Sequence, residues 1–266
     1  MFKTKLRHSI LTFTCAGMLS VASFAMVGQQ DAVAAAPQSS DLDRAQIEKI
    51  VHDYIVDHPE VILQSVESYQ KKSTEERQKV ALKEHADRLF NEETTPVAGN
   101  PKGDVTVIEF FDYNCGYCKR AWPNLEKLMD NDKNVRVLFK ELPILGEASE
   151  LAARWALAAD GQGKYLEFHK ELLESRGAIN EDKLKSIAED IGLNPVRMKQ
   201  DAQSDAVTSI IQKNRALAVA LDITGTPAFL VEDTIIPGAI SYDQLNLLVK
   251  DKRKQKEKGE EEKKTQ

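Results

Sequence analysis

Two cysteines separated by Gly116 and Tyr117 follow directly on the run Val105-Thr106-Val107-Ile108-Glu109-Phe110-Phe111. A run so rich in β-branched and aromatic residues reads as a buried strand. Cys115 and Cys118 therefore fall where a strand hands over to a helix, and few architectures place a Cys-x-x-Cys pair there. The chain has three cysteines, and the third, Cys15, lies in a segment that reads as an export signal. With that segment removed, the pair has no other thiol to bond with. This favours redox exchange over a structural disulfide framework. A closed zinc site needs two further ligands at metal spacing. His52, His58, His85 and His169 are scattered through helical segments and read as surface or packing residues.

At a helix start, unpaired N–H groups and the macrodipole stabilise a negative sulfur. That makes Cys115 the nucleophile. Cys118, one turn further in and more buried, is the resolving thiol. Gly116 and Tyr117 between them set the redox poise. A second constellation, Thr224-Gly225-Thr226-Pro227-Ala228-Phe229, puts a proline at a strand start after a glycine turn. Thr226–Pro227 is a candidate cis peptide whose backbone could pair with an extended substrate near Cys115; a trans proline on an edge strand is the alternative. Glu109 is the one charge in its strand. Facing inward, it could accept or relay the proton of Cys118; facing outward, it would be an ordinary strand residue. Lys140 and Glu141, after the next strand, are weaker candidates for a pair near the site.

The first residues have the layout of a signal peptide. Lys3, Lys5 and Arg7 precede the apolar stretch Ile10 to Val27, and Ala32 to Ala36 offer small residues for cleavage after Ala34 or Ala35, with Ser23-Phe24-Ala25 as a second option. The competing reading is an uncleaved anchor, which Gly17, Ser20, Ser23 and Gly28 weaken. The formal charge of -6 would become about -8 on removal of residues 1–36. That acidic balance, with no basic groove motif, argues against a nucleic-acid partner.

From Leu42 the apolar residues Ile47, Ile50, Val51, Tyr54 and Ile55 fall at helical spacing. Pro59 suits the first turn of a new helix, whose stripe continues through Val61, Ile62, Val66 and Tyr69. Residues 70–88 are mostly charged. They read as a solvated arm or as part of an assembly between chains. Residues 42–69 are thus either two helices packed on the main domain or an oligomerisation module.

Beyond a short edge strand near Val97, the order is strand, helix, strand, a helical block over 147–221, two strands around a turn at Asp233, and a helix capped by Ser241 that ends near Lys250. A parallel pair with a crossover followed by a terminal hairpin is the thioredoxin arrangement. The expected fold class is α/β: a thioredoxin fold with a helical insertion, after an α-helical N-terminal segment. The boundaries are residues 1–36 for the signal, 37–90 for the oligomerisation segment and linker, 91–250 for the thioredoxin domain, and 251–266 for a charged, disordered tail.

Glu109 to Lys119, Pro123 in the following helix, the helical insertion and Gly225 to Phe229 together resemble the DsbA-like branch of the thioredoxin superfamily over about residues 94–250. The resemblance implies Cys115 as nucleophile, Cys118 as resolving cysteine, Thr226-Pro227 as the cis-proline loop and Glu109 as the buried acid. Residues 42–72, with Val56 to Ile62, resemble the N-terminal oligomerisation segment of ScsC-like and Com1-like proteins. Gly116-Tyr117 and Thr226 differ from the Pro-His and Val of the DsbA prototype and resemble the isomerase side of the superfamily.

The implied function is a periplasmic thiol–disulfide oxidoreductase, with association at the outer membrane or cell surface as a variant of that location. It would form or isomerise disulfides in unfolded or misoxidised exported proteins. Its only cofactor would be the Cys115–Cys118 disulfide, recharged by a membrane partner of the DsbB or DsbD type. It would work as a dimer or trimer through residues 42–69. The alternative is a copper-tolerance protein holding Cu(I) on the same thiol pair.

Overall fold

The structure is a computed structural model and describes residues 43–264. The expected signal, Cys15 and Leu42 lie outside the described residues. Helix α1 (Arg44–Asp57) forms one compact unit with the residues up to His58. Asp43 starts it with a capping box, its carboxylate accepting from Gln46 N while the Gln46 side chain accepts from Asp43 N. None of its residues is buried.

The second unit begins with α2 (Pro59–Glu84) and α3 (Ala86–Phe90), then β1 (Val97–Gly99), β2 (Val105–Phe111), α4 (Gly116–Asn131) and β3 (Val135–Glu141). The insertion follows as α5 (Glu147–Asp160), α6 (Tyr165–Glu174), α7 (Glu181–Asp190), α8 (Pro195–Ala202) and α9 (Asp205–Ala220). The unit closes with β4 (Ala228–Val231), β5 (Thr234–Pro237) and α10 (Tyr242–Lys264). The five strands lie in the order β1-β3-β2-β4-β5. β2 and β3 run parallel, and the other three pairings are antiparallel. This is the thioredoxin arrangement with a helical insertion.

All seven residues of β2 are buried, because helices cover both faces of the central strand. Strand parity then divides the core. Val105, Val107 and Phe111 join Val137, Phe139, Cys118, Trp122 and Phe168 on one face. Ile108 and Phe110 join Leu138, Leu217, Leu89 and Ala81 on the other. Each fully buried Phe or Leu contributes about 1.5–3 kcal/mol of transfer free energy. By the same parity Glu109 shares the face of Val107 and Phe111, the face that also holds Cys118. Gly99, at φ +68, ends β1 close against β3. A Cβ there would stand 2.5 Å from the Val135 carbonyl oxygen.

Three sequence expectations change. The 37–90 segment is not detached from the catalytic body along its whole length: Ala81 and Leu89 are buried against β2 and α9. Their apolar contacts outweigh the polarity of their surroundings. Near its end, the helical block expected over 147–221 breaks between α8 and α9 at Ser204, whose hydroxyl accepts from Val207 N at 3.3 Å to start α9. The tail over 251–266 is helical as far as Lys264. Arg253 bridges Asp104 at 2.7 Å and Asp132 at 2.9 Å, and Lys252 pairs with Asp233. These ion pairs and the donation from Lys256 Nζ to Asp104 O at 2.7 Å hold the next turns on the domain.

The candidate thiol site

The β2–α4 junction is built around Asp112. Its side chain accepts from Asn114 N at 2.8 Å, and from Ile144 N and Leu145 N at 2.8 and 3.0 Å. Its carbonyl accepts from Cys115 N at 3.0 Å. One short carboxylate thus ties the loop before Cys115 to the loop after β3, an Asx-turn device. Cys115 is the N-cap residue of α4, with φ −75 and ψ 113, and its carbonyl already accepts from Lys119 N at 3.1 Å. The N–H groups of the first turn of α4 have no intrahelical acceptor.

Both cysteines are free thiols, Cys115 6% exposed and Cys118 fully buried. The Thr226–Pro227 peptide bond is cis, as its setting suggested. The Thr226 carbonyl accepts from Cys115 Sγ at 3.2 Å. Tyr117 projects into solvent with the Arg120 guanidinium 4.1 Å from its ring centroid, and Gly116 is exposed beside it. The structure therefore brings Cys115, Cys118, Thr226 and Pro227 together at one end of the sheet, with Tyr117 at the rim.

Glu109 faces inward. It is 1% exposed, and neither carboxylate oxygen has a hydrogen-bond partner. Burial, and then the charge of Cys115, push its carboxyl up to about 8. The Cys118 thiol is pushed far up by burial and then by the charge of Glu109. At neutral pH most of the Glu109 carboxyl is protonated, and its minor ionised fraction is the buried base that can take the proton of Cys118.

Lys140 and Glu141 do not form a pair, because adjacent strand residues point to opposite faces. Lys140 Nζ donates to Thr95 Oγ1 at 2.6 Å and to the Arg88 carbonyl at 2.9 Å, and burial lowers its ammonium to about 8. Glu141 is fully buried on the Cys118 face. Its Oε1 accepts from Tyr113 at 3.1 Å and from Tyr165 at 2.8 Å. Burial holds its carboxyl well above the usual range.

His169, which no local pattern separates from the other histidines, is fully buried. Its Nδ1 lies 2.9 Å from the Tyr113 hydroxyl, and burial lowers its imidazole to about 3. Phe111, Trp122 and Phe139 surround its ring. This cluster anchors Tyr113, two residues before Cys115, to β3 and α6. Among the described residues, no group of three or more His, Cys, Asp or Glu is placed to hold a metal ion. No helix among them is long and apolar enough to cross a membrane.

Comparison with known proteins gives the same neighbourhood from two directions. The family model of the DSBA-like thioredoxin domain matches residues 106–250, and that of the copper resistance protein ScsC N-terminal domain matches residues 43–76. The chain is 48% identical to the crystal structure of a thioredoxin-like oxidoreductase from Silicibacter pomeroyi DSS-3, covering 63% of this chain and 97% of that one with a TM-score of 0.62. A linker-deleted mutant of Proteus mirabilis ScsC is 30% identical, covering 80% of this chain and 97% of that one with a TM-score of 0.63. Among curated relatives, disulfide bond formation protein D of Bacillus subtilis is 27% identical over 168 residues, 56% of this chain and 73% of that protein. The chain spans only 24% of the length of a Na(+)/H(+) antiporter of Salinispora arenicola, which it matches at 28% identity over 155 residues, 58% of this chain.

Proposed function

The chain belongs to the DSBA-like thioredoxin domain family, and from that premise we propose that it is an exported thiol–disulfide oxidoreductase that shuffles or forms disulfides in periplasmic proteins. The observation that carries this reading is the placement of Cys115. Its sulfur sits at the open N-terminus of α4, 3.2 Å from the Thr226 carbonyl, with Cys118 and Glu109 buried behind it.

In the reduced protein, the Cys115 thiolate attacks one sulfur of a substrate disulfide. That bond breaks, a mixed disulfide forms and a substrate thiolate leaves. If that thiolate attacks another substrate bridge and a second one returns to release Cys115, the substrate is isomerised with no net electron transfer. If Cys118 attacks instead, it gives its proton to the fraction of Glu109 that is ionised, the pair becomes a disulfide and the substrate gains two electrons. Run backwards, the same steps oxidise a substrate dithiol, with protonated Glu109 returning the proton to the leaving Cys118. A membrane partner of the DsbD type would recharge the first direction, and one of the DsbB type the second.

The N-terminal segment supports an oligomer. Ile47, Ile50, Val51 and Tyr54 of α1 are each about half exposed, and Leu63 and Tyr69 of α2 are 70% and 74% exposed. Large apolar side chains exposed on each of these two helices call for a partner, and a second copy of the chain is the proposed one. Deleting residues 43–66 will give a monomer that still exchanges thiols with glutathione but repairs scrambled ribonuclease A about ten-fold more slowly, as loss of multivalency predicts. Solution mass and the two rates are the measurements. Unchanged repair by the monomer would reject the isomerase version.

The match to the copper resistance domain favours one second reading, Cu(I) held by the paired thiolates. A Cu(I) titration beside the ribonuclease assay separates them: tight binding without turnover supports the metal reading.

A further inference from the structure

A groove of about 940 Å³ opens beside the thiol site. Its floor is the Thr226–Pro227 segment with Ile235 and Ala239, and Tyr117 stands at its mouth. Its other side is helix α2, through Glu67, Lys71, Thr74 and Gln78, which fall on one face at helical spacing.

The two halves of α2 are held differently. The C-terminal half is fastened. Arg77 donates through Nη2 and Nε to Asp222 Oδ2 at 2.7 and 3.2 Å, Gln78 Nε2 donates to the Leu221 carbonyl at 3.0 Å, and Ala81 is buried in the core. Asp222 sits at φ +56 in the turn that ends α9, so it can hold the arginine only while that turn keeps its shape. The N-terminal half has no buried residue.

We propose that the Glu67–Gln78 face of α2 is the outer wall of the groove in which a polypeptide substrate lies, and that the Arg77–Asp222 clasp fixes the position of that wall. This inference rests on the thiol–disulfide reading above and adds a specificity element to it. Glu67 and Gln78 stand about 16 Å apart along a helix rising ~1.5 Å per residue. That length matches roughly five residues of extended chain at ~3.3 Å each. The wall is polar, with Lys71 and Glu75 paired at 4.0 Å, whereas the floor offers Pro227, Ile235 and Ala239. An extended chain points successive side chains to opposite sides, so it can satisfy both. A small thiol needs only Cys115 and has nothing to gain from α2. Arg77 and the α2 face are thus positioning elements for polypeptides.

The test uses the full chain. Arg77→Ala will raise KM for scrambled ribonuclease A about three- to five-fold, the scale of one partly exposed ion pair. It will leave kcat for that substrate and the rate with oxidised glutathione unchanged. Arg77→Lys will recover part of the loss, and Asp222→Asn, which keeps the turn geometry, will reproduce it. In a Cys118→Ser variant, a mixed disulfide formed by exchange with the disulfide-linked dimer of a ten-residue peptide carrying one cysteine will slow deuterium uptake over residues 67–78, and one formed by exchange with oxidised glutathione will not. Mixed disulfides that form with both probes but protect α2 equally, together with an unchanged KM, overturn the wall while leaving the exchange chemistry standing. Failure to form either mixed disulfide overturns the exchange reading and this inference with it.

Discussion

Cys115→Ser will bring disulfide exchange down to the rate of the reaction without protein, a loss of about a thousand-fold or more, as expected when the attacking atom of a coupled site is removed. Cys118→Ser will behave differently. Cys115 still attacks, the mixed disulfide forms, and the reaction halts because no thiol stands behind it. Mass spectrometry after mixing with a substrate disulfide reads the difference: an adduct on the Cys118 variant and none on the Cys115 variant. The asymmetry follows from the geometry, since Cys115 caps the open helix start and keeps 6% exposure whereas Cys118 is fully buried. An equal adduct on both variants would mean that Cys118 is accessible and the roles are wrongly assigned.

Glu109→Gln produces the second large effect, in both stability and rate. The folded-state carboxyl of Glu109 is raised to about 8 from the ordinary 4.5, so between those limits the folded chain keeps a proton that the unfolded chain has lost. Stability therefore falls as pH rises through that window, and is lowest above it. The full loss is roughly 4–5 kcal/mol. The glutamine variant has no such titration, so denaturant unfolding at pH 5 and pH 9 will show the wild type losing stability relative to the variant as pH rises. Glutamine also cannot take the proton of Cys118. Release of the mixed disulfide will slow about a hundred-fold near pH 7, the usual worth of a positioned acid–base group, whereas the first attack by Cys115 is unaffected. Parallel stability curves for the two proteins from pH 5 to 9 would refute the role given to this carboxyl.

The parts of this site that were readable in the sequence are those written in local pattern. The strand before Cys115, the helix after it, the turn before Pro227 and the hairpin at Asp233 are each signalled within a few residues. The inward direction of Glu109 was left open, because strand parity needs a reference residue whose face is known, and Cys118 supplies one only once α4 is packed. Tyr113, Glu141, Tyr165 and His169 were not legible as a group. Their hydrogen bonds join residues 24 to 56 positions apart, and each residue taken alone has an ordinary surface or core reading. The same holds for the Arg77–Asp222 clasp, 145 positions apart, and for the ion pairs that carry α10 past Lys250. Polarity suggested detachment in both segments, yet the opposite charges that hold them lie in distant turns. Asp112 came closest to being readable: an aspartate two residues before Asn114 is a turn signal, although its reach to Ile144 and Leu145 is not.

The enclosure of Cys118 also bears on what an oxidant would do to the thiol pair. Peroxide can meet only the outer sulfur, giving a sulfenic acid there. The inner thiol lies one helical turn away and condenses with it, expelling water and closing the bridge before a second equivalent can drive the sulfur to an irreversible acid. Chemical attack from outside thus leads back to one of the two working forms, and damage is turned into turnover.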